Sequence, residues 1–243
     1  MTHRLESVLI ISQNTAQKLL RGARKLSKQI TRFYSEFSHG WSAETHDPNR
    51  LFDAFPRLKI REGFKLAAYQ LMEGGNGNGF AFAIPTHLSL PEPREHEFDL
   101  GWSMSGTPIF CSGEQGLPEW VRADIGNFLE GDSSPLSYFQ ASIFLRELHE
   151  MGARWHGCSW STHKLLTSAA RIPKQTWQWK HDKPEDWRPR VMLNSAGLWQ
   201  VLFYTHTGLG QEQIVLHIDT FTAGYQFDTV LREIALGQGG YVF

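Results

Sequence analysis

The sequence predicts an α+β fold, in which an antiparallel sheet built from hairpins is covered on one face by amphipathic helices. Residues 64–90 and 198–220 have the pattern of β-hairpins, whereas residues 15–37 and 134–152 have helical periodicity. These segments do not alternate along the chain as they would in a parallel α/β sheet. We therefore expect a single domain over residues 1–243, whose N-terminal helical segment is basic and packs on the domain or extends from it.

Composition and charge are typical of a globular protein without an obligate nucleic-acid partner. Hydrophobic residues make up 41% of the chain, charged residues 20%, and the net charge is −1. The charge is unevenly distributed along the chain. Residues 1–36 hold 7 basic and 2 acidic residues, residues 37–153 hold 8 basic and 16 acidic, and residues 154–243 hold 9 basic and 7 acidic. No apolar stretch approaches the ~18 residues of a membrane span, and the N-terminus lacks a signal-peptide pattern. With two cysteines, Cys111 and Cys158, we expect a cytoplasmic protein with reduced thiols.

The first predicted helix spans about residues 15–37. Its apolar stripe consists of Leu19, Ala23, Leu26, Ile30, Phe33 and Phe37. Its other face carries the cations Lys18, Arg21, Arg24, Lys25, Lys28 and Arg32. Such helices bind membranes or nucleic acids, but the pattern also fits a core helix with a solvated outer face, or one that docks on the acidic middle of the chain. Gly22 and Ser27 weaken an isolated helix, which favours a helix held by tertiary packing.

Residues 38–61 lack a period and are predicted to be irregular. The first hairpin pairs residues 64–73 with 80–90 across the glycine-rich stretch 74–79. A phosphate-binding loop would need a helix after it, whereas the residues after this stretch have a strand pattern. The glycines therefore indicate a turn.

The middle of the chain contains a long connection, residues 91–116, with a short strand near residues 107–111. A short helix is predicted over residues 118–130. The strongest helix follows at residues 134–152, because Ser134 can cap its N-terminus and Gly152 can end it. Its apolar stripe consists of Leu136, Phe139, Ile143, Phe144, Leu148 and Met151.

A strand-like run after this helix concentrates chemically capable side chains, namely His156, Cys158 and His163, with His149 just before them. Zinc binds imidazole and thiolate, and a histidine could activate a cysteine nucleophile. However, His-x-Cys is not a common zinc motif, and a nucleophilic cysteine usually lies near a helix N-terminus. We expect that the four side chains do not converge on one metal. A small metal-assisted hydrolase that uses them is the alternative function.

The loop-rich region that follows combines tryptophans with cations. Residues 154–190 hold 8 Lys and Arg against 3 Asp and Glu. They also include the five tryptophans Trp155, Trp160, Trp177, Trp179 and Trp187. Aromatic and basic side chains together are typical of single-stranded nucleic-acid binding and of protein-interaction hot spots. The same pattern also fits tryptophans in the core with solvated cations beside them.

The last hairpin pairs residues 198–207 with 211–220 across a two-residue turn, Leu209–Gly210. This register predicts a core face of Trp199, Val201, Phe203, Ile214, Leu216 and Ile218. The opposite face would hold Gln200, Leu202, Tyr204, His206, Gln213, Val215, His217 and Asp219. That mixed face is either exposed to solvent or lines a ligand groove. A short helix is predicted over residues 228–236, and residues 241–243 as a strand end.

The sequence contains no Walker loop, Rossmann fingerprint, Gly-x-Ser-x-Gly elbow, His-Glu-x-x-His run or internal repeat, so its motifs suggest no family. We therefore predict a non-catalytic binding module without metal or cofactor, and no catalytic residue is assigned. The predicted ligand-binding residues are Trp177, Trp179, Trp187, Arg188, Arg190, Tyr204, His206, His217 and Asp219. Another protein is the favoured partner, ahead of nucleic acid.

Overall fold

A computed structural model describes residues 8–31, 40–73, 76–92, 98–101, 109–112 and 118–242. Their helices and strands are β1 (Leu9–Ile10), α1 (Gln13–Ile30), β2 (Gly40–Ala43), β3 (Leu58–Ile60), β4 (Phe64–Glu73), β5 (Asn76–Pro85), β6 (Phe98–Gly101), β7 (Ile109–Ser112), β8 (Leu129–Gly131), α2 (Pro135–His149), β9 (Lys164–Leu166), β10 (Gln178–Trp179), β11 (Arg190–Leu193), β12 (Trp199–Thr207), β13 (Gln213–Ala223) and β14 (Gln226–Leu236). Short 3-10 turns join several of them. The chain is an α+β protein, as predicted.

All named strands pair antiparallel. The large sheet has the order β1-β11-β12-β13-β14-β10, and β9 also pairs with β12. The small sheet has the order β2-β4-β5, while β3 pairs with β8 and β6 with β7. The longest ladders, β4-β5, β12-β13 and β13-β14, join strands that are consecutive in the chain, so hairpins account for most of the paired residues, as the sequence indicated.

Helix α1 begins where Ser12 accepts a hydrogen bond from the Thr15 amide, and it ends near Thr31. Its buried residues are Ala16, Leu20, Ala23 and Ile30, with Leu19 and Leu26 partly buried. The predicted stripe is confirmed up to Ile30, and residues 32–37 lie outside the described part of the chain. Four of its cations, Lys18, Arg21, Lys25 and Lys28, are exposed.

Helix α2 is the centre of the fold. Ser134 caps it by accepting from the Ser137 amide. The helix ends at His149 with Glu150 as its C-cap, so the predicted end at Gly152 is wrong; Gly152 lies in the turn that follows, with a φ of 87°. Its apolar residues pack into one core with α1, the inner face of the large sheet and part of the small sheet. Phe139, Ile143 and Phe144 are completely buried. Since Ser142 and Glu147 are buried as well, α2 is enclosed on nearly every side rather than amphipathic.

The outer face of the large sheet has a second core. The chain between β9 and β11 crosses this face and covers Tyr204, Ile214 and Leu216 with tryptophans. In place of a helical layer, this side of the sheet is therefore closed by the loop-rich tryptophan region.

The predicted register of the last hairpin is wrong by one residue. Gln200 pairs with Thr220 and Thr207 with Gln213, so the loop has five residues instead of two. The Tyr241 backbone holds this loop through hydrogen bonds with Gly208 and Gly210, at 2.8 and 2.7 Å. The slip places Val201 and Phe203 on the inner face and Ile214, Leu216 and Ile218 on the outer face. Both faces are buried, so hydrophobic alternation could not identify the register.

Three local predictions are also wrong. Residues 228–236 belong to strand β14, which pairs with β13 along its length. Residues 118–130 form no α-helix, because the Arg122 backbone pairs with Ala83 and the chain then enters a 3-10 turn and β8. The run after α2 is not a strand but two 3-10 turns, Trp155–Gly157 and Trp160–Thr162.

Two segments predicted to be an irregular stretch and a turn contain regular secondary structure. Residues 38–61 include β2, β3 and a 3-10 turn at Pro48–Ala54. Strand β5 begins at Asn76, so Gly77 and Gly79 lie in the strand rather than in the turn. A Cβ on Gly79 would lie 1.8 Å from the Met151 carbonyl oxygen, so glycine allows β5 to approach the end of α2. In the described part of the chain, no helix has the length and apolar character needed to cross a membrane.

Candidate binding surface

The tryptophan-rich region forms an open groove of about 300 Å³ on the outer face of the large sheet. Its walls include Ile172, Lys174, Gln175, Trp177, Trp179 and Lys183. We refer to it as the tryptophan groove. Both tryptophans are half-buried, so each contributes one side to the second core and another to the groove.

Both groove tryptophans are held by the fold. The Trp177 indole N–H donates to the Pro173 carbonyl at 3.1 Å, and its ring meets His206 edge-on at 5.9 Å. His206 is fixed in turn by Glu212, with Nε2 and Oε1 2.6 Å apart. Trp179 lies on β10, where it pairs with Ala235 of β14. A ligand would therefore meet aromatic surfaces that are already in place.

A second aromatic layer lies beneath the groove. Trp187 is 3% exposed, and its ring centroid lies 6.4 Å from that of Trp179 and 5.0 Å from that of Tyr204. Its indole nitrogen has no hydrogen-bond partner among the described residues. Trp187 therefore supports Trp179 from below and does not reach the surface.

The groove is cationic. Lys174 and Lys183 are exposed, and neither forms an ion pair with a described residue. The Lys183 ammonium lies 5.8 Å from the centre of the Trp179 ring. None of the described wall residues is acidic. The two lysines were not among the predicted binding residues, although their position between tryptophans was the available indication.

The predicted binding residues divide between two faces of the sheet. Trp177 and Trp179 line the groove, while Trp187, Tyr204 and His206 lie beneath it. The other predicted cations do not line it: Arg188 pairs with Asp186 at 2.9 Å, and Arg190 lies on β11. His217 and Asp219 point to the inner face, toward α2, because the observed register pairs them with Phe203 and Val201. The predicted register, which differs by one residue, had placed them on the outer face.

Asp219 is the centre of a buried polar network. Its carboxylate accepts two hydrogen bonds from the Arg146 guanidinium, at 2.6 and 2.7 Å. It also accepts from the hydroxyls of Ser142 and Thr229, at 2.5 and 2.7 Å. Asp219 is completely buried, and this bidentate pair with two further donors satisfies its charge. The network joins α2 to β13 and β14, which is a structural role.

A second polar group inside the fold contains two histidines, the buried His217 and the half-buried His163. The Thr205 hydroxyl lies 2.8 Å from His217 Nε2 and 2.7 Å from His163 Nδ1. Burial lowers the pKa of His163 to about 4, with a further contribution from Arg146. Burial and the same arginine hold the pKa of His217 well below its usual range. Both imidazoles are therefore neutral near pH 7. His217 packs against the rings of Trp160 and Phe203, and His163 stacks on Trp160.

The alternative catalytic residues do not form a comparable site. His163 is directed to Thr205, whereas His149 and His156 are exposed. Cys158 is a half-buried free thiol whose pKa is raised by burial; the Cys111 side chain lies outside the described part. Within the described ranges, no group of three or more His, Cys, Asp or Glu side chains could hold a metal.

Glu150 determines the path of the chain that carries Cys158 and His163. Its carboxylate accepts from the amides of Ser159 and Ser161 at 2.6 and 2.7 Å, and from the amide of Trp160. These bonds turn the chain after α2, so the extended strand expected there cannot form.

A second surface cavity, of about 370 Å³, lies beside Phe128. Its two arginines already have partners: Arg122 makes a bidentate ion pair with Asp124, and Arg61 donates to the Asn127 carbonyl. Since both guanidinium groups already bind oxygen atoms of this chain, the cavity would bind an anionic ligand more weakly than the tryptophan groove.

Comparison with known proteins identifies no relative: no family model, no curated protein and no solved structure matches this chain.

Proposed function

We propose that this protein is a non-catalytic binding module that recognises an acidic peptide segment of another protein through the tryptophan groove. The observation that carries the proposal is the pairing of two half-buried tryptophans with two lysines that have no ion-pair partner in the described chain. Tryptophan side chains in rigid surface pockets are typical centres of protein binding. The lysines favour a carboxylate beside the apolar side chain that enters the groove.

The size and charge of the groove favour a peptide over nucleic acid. Proteins that bind nucleic acid through its backbone make on the order of 6–10 phosphate contacts, whereas this groove offers Lys174 and Lys183. Nearby Lys180 pairs with Glu233, and Arg188 with Asp186. A volume of about 300 Å³ suits one or two anchoring side chains.

The Gln175 side chain supplies a polar group in the same wall. Its amide nitrogen is buried and has no hydrogen-bond partner among the described residues. This nitrogen packs beside Gly237, where a Cβ would lie 2.6 Å from it, so the Gln175 side chain shapes the wall and the lysines supply its polar contacts.

The test begins with a random peptide library displayed on phage and selected on the full chain. We expect enrichment of peptides that place an aromatic or aliphatic residue beside Asp or Glu. A selected peptide should bind Trp179→Ala at least about tenfold more weakly by fluorescence anisotropy, which corresponds to about 1.4 kcal/mol. Lys174→Glu and Lys183→Glu should weaken binding too, and added salt should reduce their effect.

Trp155→Ala is the matched control, because Trp155 is 62% exposed and is not one of the groove walls. Its affinity for the peptide should equal that of the unmodified chain. Failure to enrich any peptide that depends on Trp177 or Trp179 would refute the proposal. Binding of a single-stranded oligo(dT) that is lost in the lysine variants would instead assign the groove to nucleic acid.

A further inference from the structure

Among the described strands, the large sheet has an open edge at the middle of β14. On one side β14 pairs with β13 along its length, while on the other side β10 reaches only Ala235 and Leu236. The Lys180 amide extends this contact to the Ile234 carbonyl at 2.9 Å. At the other end, the chain around Gly126 packs so closely on Gln226 that a Cβ at residue 126 would lie 2.6 Å from its Cα. Between these contacts, residues 228–232 have no neighbouring strand in the described part of the chain.

This open stretch is apolar at its centre. Val230 is 57% exposed and Leu231 is 61% exposed. Exposed edge strands with apolar side chains pair readily with another chain, and proteins usually protect them. The charged residues here, Asp228 and Arg232, flank the apolar pair, and neither forms an ion pair with a described residue.

We propose that a second copy of this chain covers the open edge, by antiparallel pairing of β14 with β14 about a two-fold axis at Val230. Val230 is the midpoint of the open stretch between the two covered ends. About this axis, Val230 lies opposite Val230 of the second copy, and Thr229 lies opposite its Leu231. Asp228 lies opposite Arg232 of the second copy, and the symmetry repeats this pair.

The self-complementary charge is what selects a second copy as the occupant. Opposite charges placed directly across an antiparallel pair attract, and like charges there are unfavourable. Moving the axis by one residue to Thr229 would place Asp228 opposite Val230 and leave Arg232 without a charged partner. An unrelated peptide could also add to this edge, but nothing in the edge would select it.

The pairing is short, so the dimer should be weak. A five-residue strand pair buries less than the ~1,200 Å² typical of stable interfaces. We therefore expect exchange between monomer and dimer, with the dimer population rising over protein concentrations from about 1 to about 300 μM.

Sedimentation velocity on the full chain tests the proposal. Asp228→Arg and Arg232→Asp should each shift the equilibrium to monomer, with the dissociation constant raised at least about tenfold. The double variant Asp228→Arg/Arg232→Asp should restore dimerisation, since it exchanges the charges within each pair. Glu62→Arg, a similar charge change at an exposed site, should dimerise like the unmodified chain.

Cross-linking tests the register independently. Val230→Cys should form a disulfide between copies under mild oxidation, because residue 230 faces itself across the axis, whereas Thr222→Cys should not. A chain that stays monomeric over the whole concentration series would overturn the proposal. A dimer that tolerates both single charge reversals, or that does not cross-link through residue 230, would overturn this interface.

Discussion

The guanidinium of Arg146 holds both carboxylate oxygens of Asp219, at 2.6 and 2.7 Å, in the interior between α2 and β13. The same guanidinium lies over the rings of Trp160, Phe203 and Phe227, at 5.5, 5.2 and 5.2 Å. A buried ion pair with two further hydroxyl donors fixes the position of a helix that has little amphipathic character of its own. We infer that this pair determines how α2 is seated on the large sheet.

Asp219→Asn should therefore destabilise the protein strongly. The change leaves the Arg146 charge buried without its counter-charge, which costs about 3–5 kcal/mol. Asp186→Asn is the control, because the Asp186–Arg188 pair is exposed and should contribute less than about 1 kcal/mol. Urea unfolding followed by circular dichroism measures both free energies. Equal effects for the two variants would show that the buried pair does not hold α2.

Stability should fall as the pH drops from about 6.5 to about 4. His163 has an ordinary pKa of 6.5 when unfolded, and a pKa of about 4 in the folded protein because of burial. Between these values the unfolded chain binds a proton that the folded chain does not. The free energy of unfolding therefore decreases by up to about 1.4 kcal/mol per pH unit for this group. His46, whose pKa is lowered to about 4 by burial, contributes in the same direction.

Other groups act on the same pH range, so the measurement compares variants. Burial raises the pKa of Glu147, which opposes the histidines because its folded state takes up a proton more readily. Unfolding free energies at about pH 7.5 and about pH 5 should differ less for His163→Gln than for the unmodified chain. His87→Gln should leave the difference unchanged, since His87 is exposed. The same pH difference in all three proteins would contradict the prediction.

The sequence predicted elements best where local chemistry determines them. Ser134 marked the start of α2, Gly152 marked the turn after its end, and the periodicity of α1 identified its buried face. Predictions from the sequence were wrong where the secondary structure of a segment depends on the strand that it pairs with. Residues 228–236 can be drawn as a helix or a strand from their apolar pattern, and pairing with β13 selects the strand.

The binding surface was predicted only in part, because the register of the last hairpin also depends on long-range packing. The combination of tryptophan and cations located the groove region, and Trp177 and Trp179 line it. His217 and Asp219 were assigned to the same face as Tyr204, although they lie on the opposite one. Alternation specifies register where one face is buried and the other is solvated. Here cores cover both faces, and the loop length depends on Tyr241, far along the chain.

Phe203→Ala should destabilise the protein by about 3–5 kcal/mol, because it opens a cavity in a well-packed core. Phe203 is completely buried and stacks on His217, with ring centroids 4.6 Å apart and planes 4° apart. Val242→Ala, at a residue that is 83% exposed, should change the free energy by less than about 0.5 kcal/mol. Thermal and urea unfolding of both variants check this. A cost near zero for Phe203→Ala would show that β12 is not packed in this register.

The same substitution should have opposite effects at two glycines. Gly22 lies within α1, and a Cβ there would have no atom within 4 Å among its surroundings. Gly22→Ala should stabilise the protein by up to about 1 kcal/mol, since alanine favours the helix more than glycine does. At Gly79 the new Cβ would overlap the Met151 carbonyl oxygen at 1.8 Å, and that atom belongs to the backbone at the end of α2. Gly79→Ala should therefore separate β5 from α2 and lower the melting temperature, whereas Gly22→Ala should raise it.

Hydrogen exchange can localise the effect, because only Gly79→Ala should speed exchange of the Arg154 amide, which donates to the Gly77 carbonyl at 2.8 Å. Stabilisation by both changes would mean that β5 does not approach α2 this closely.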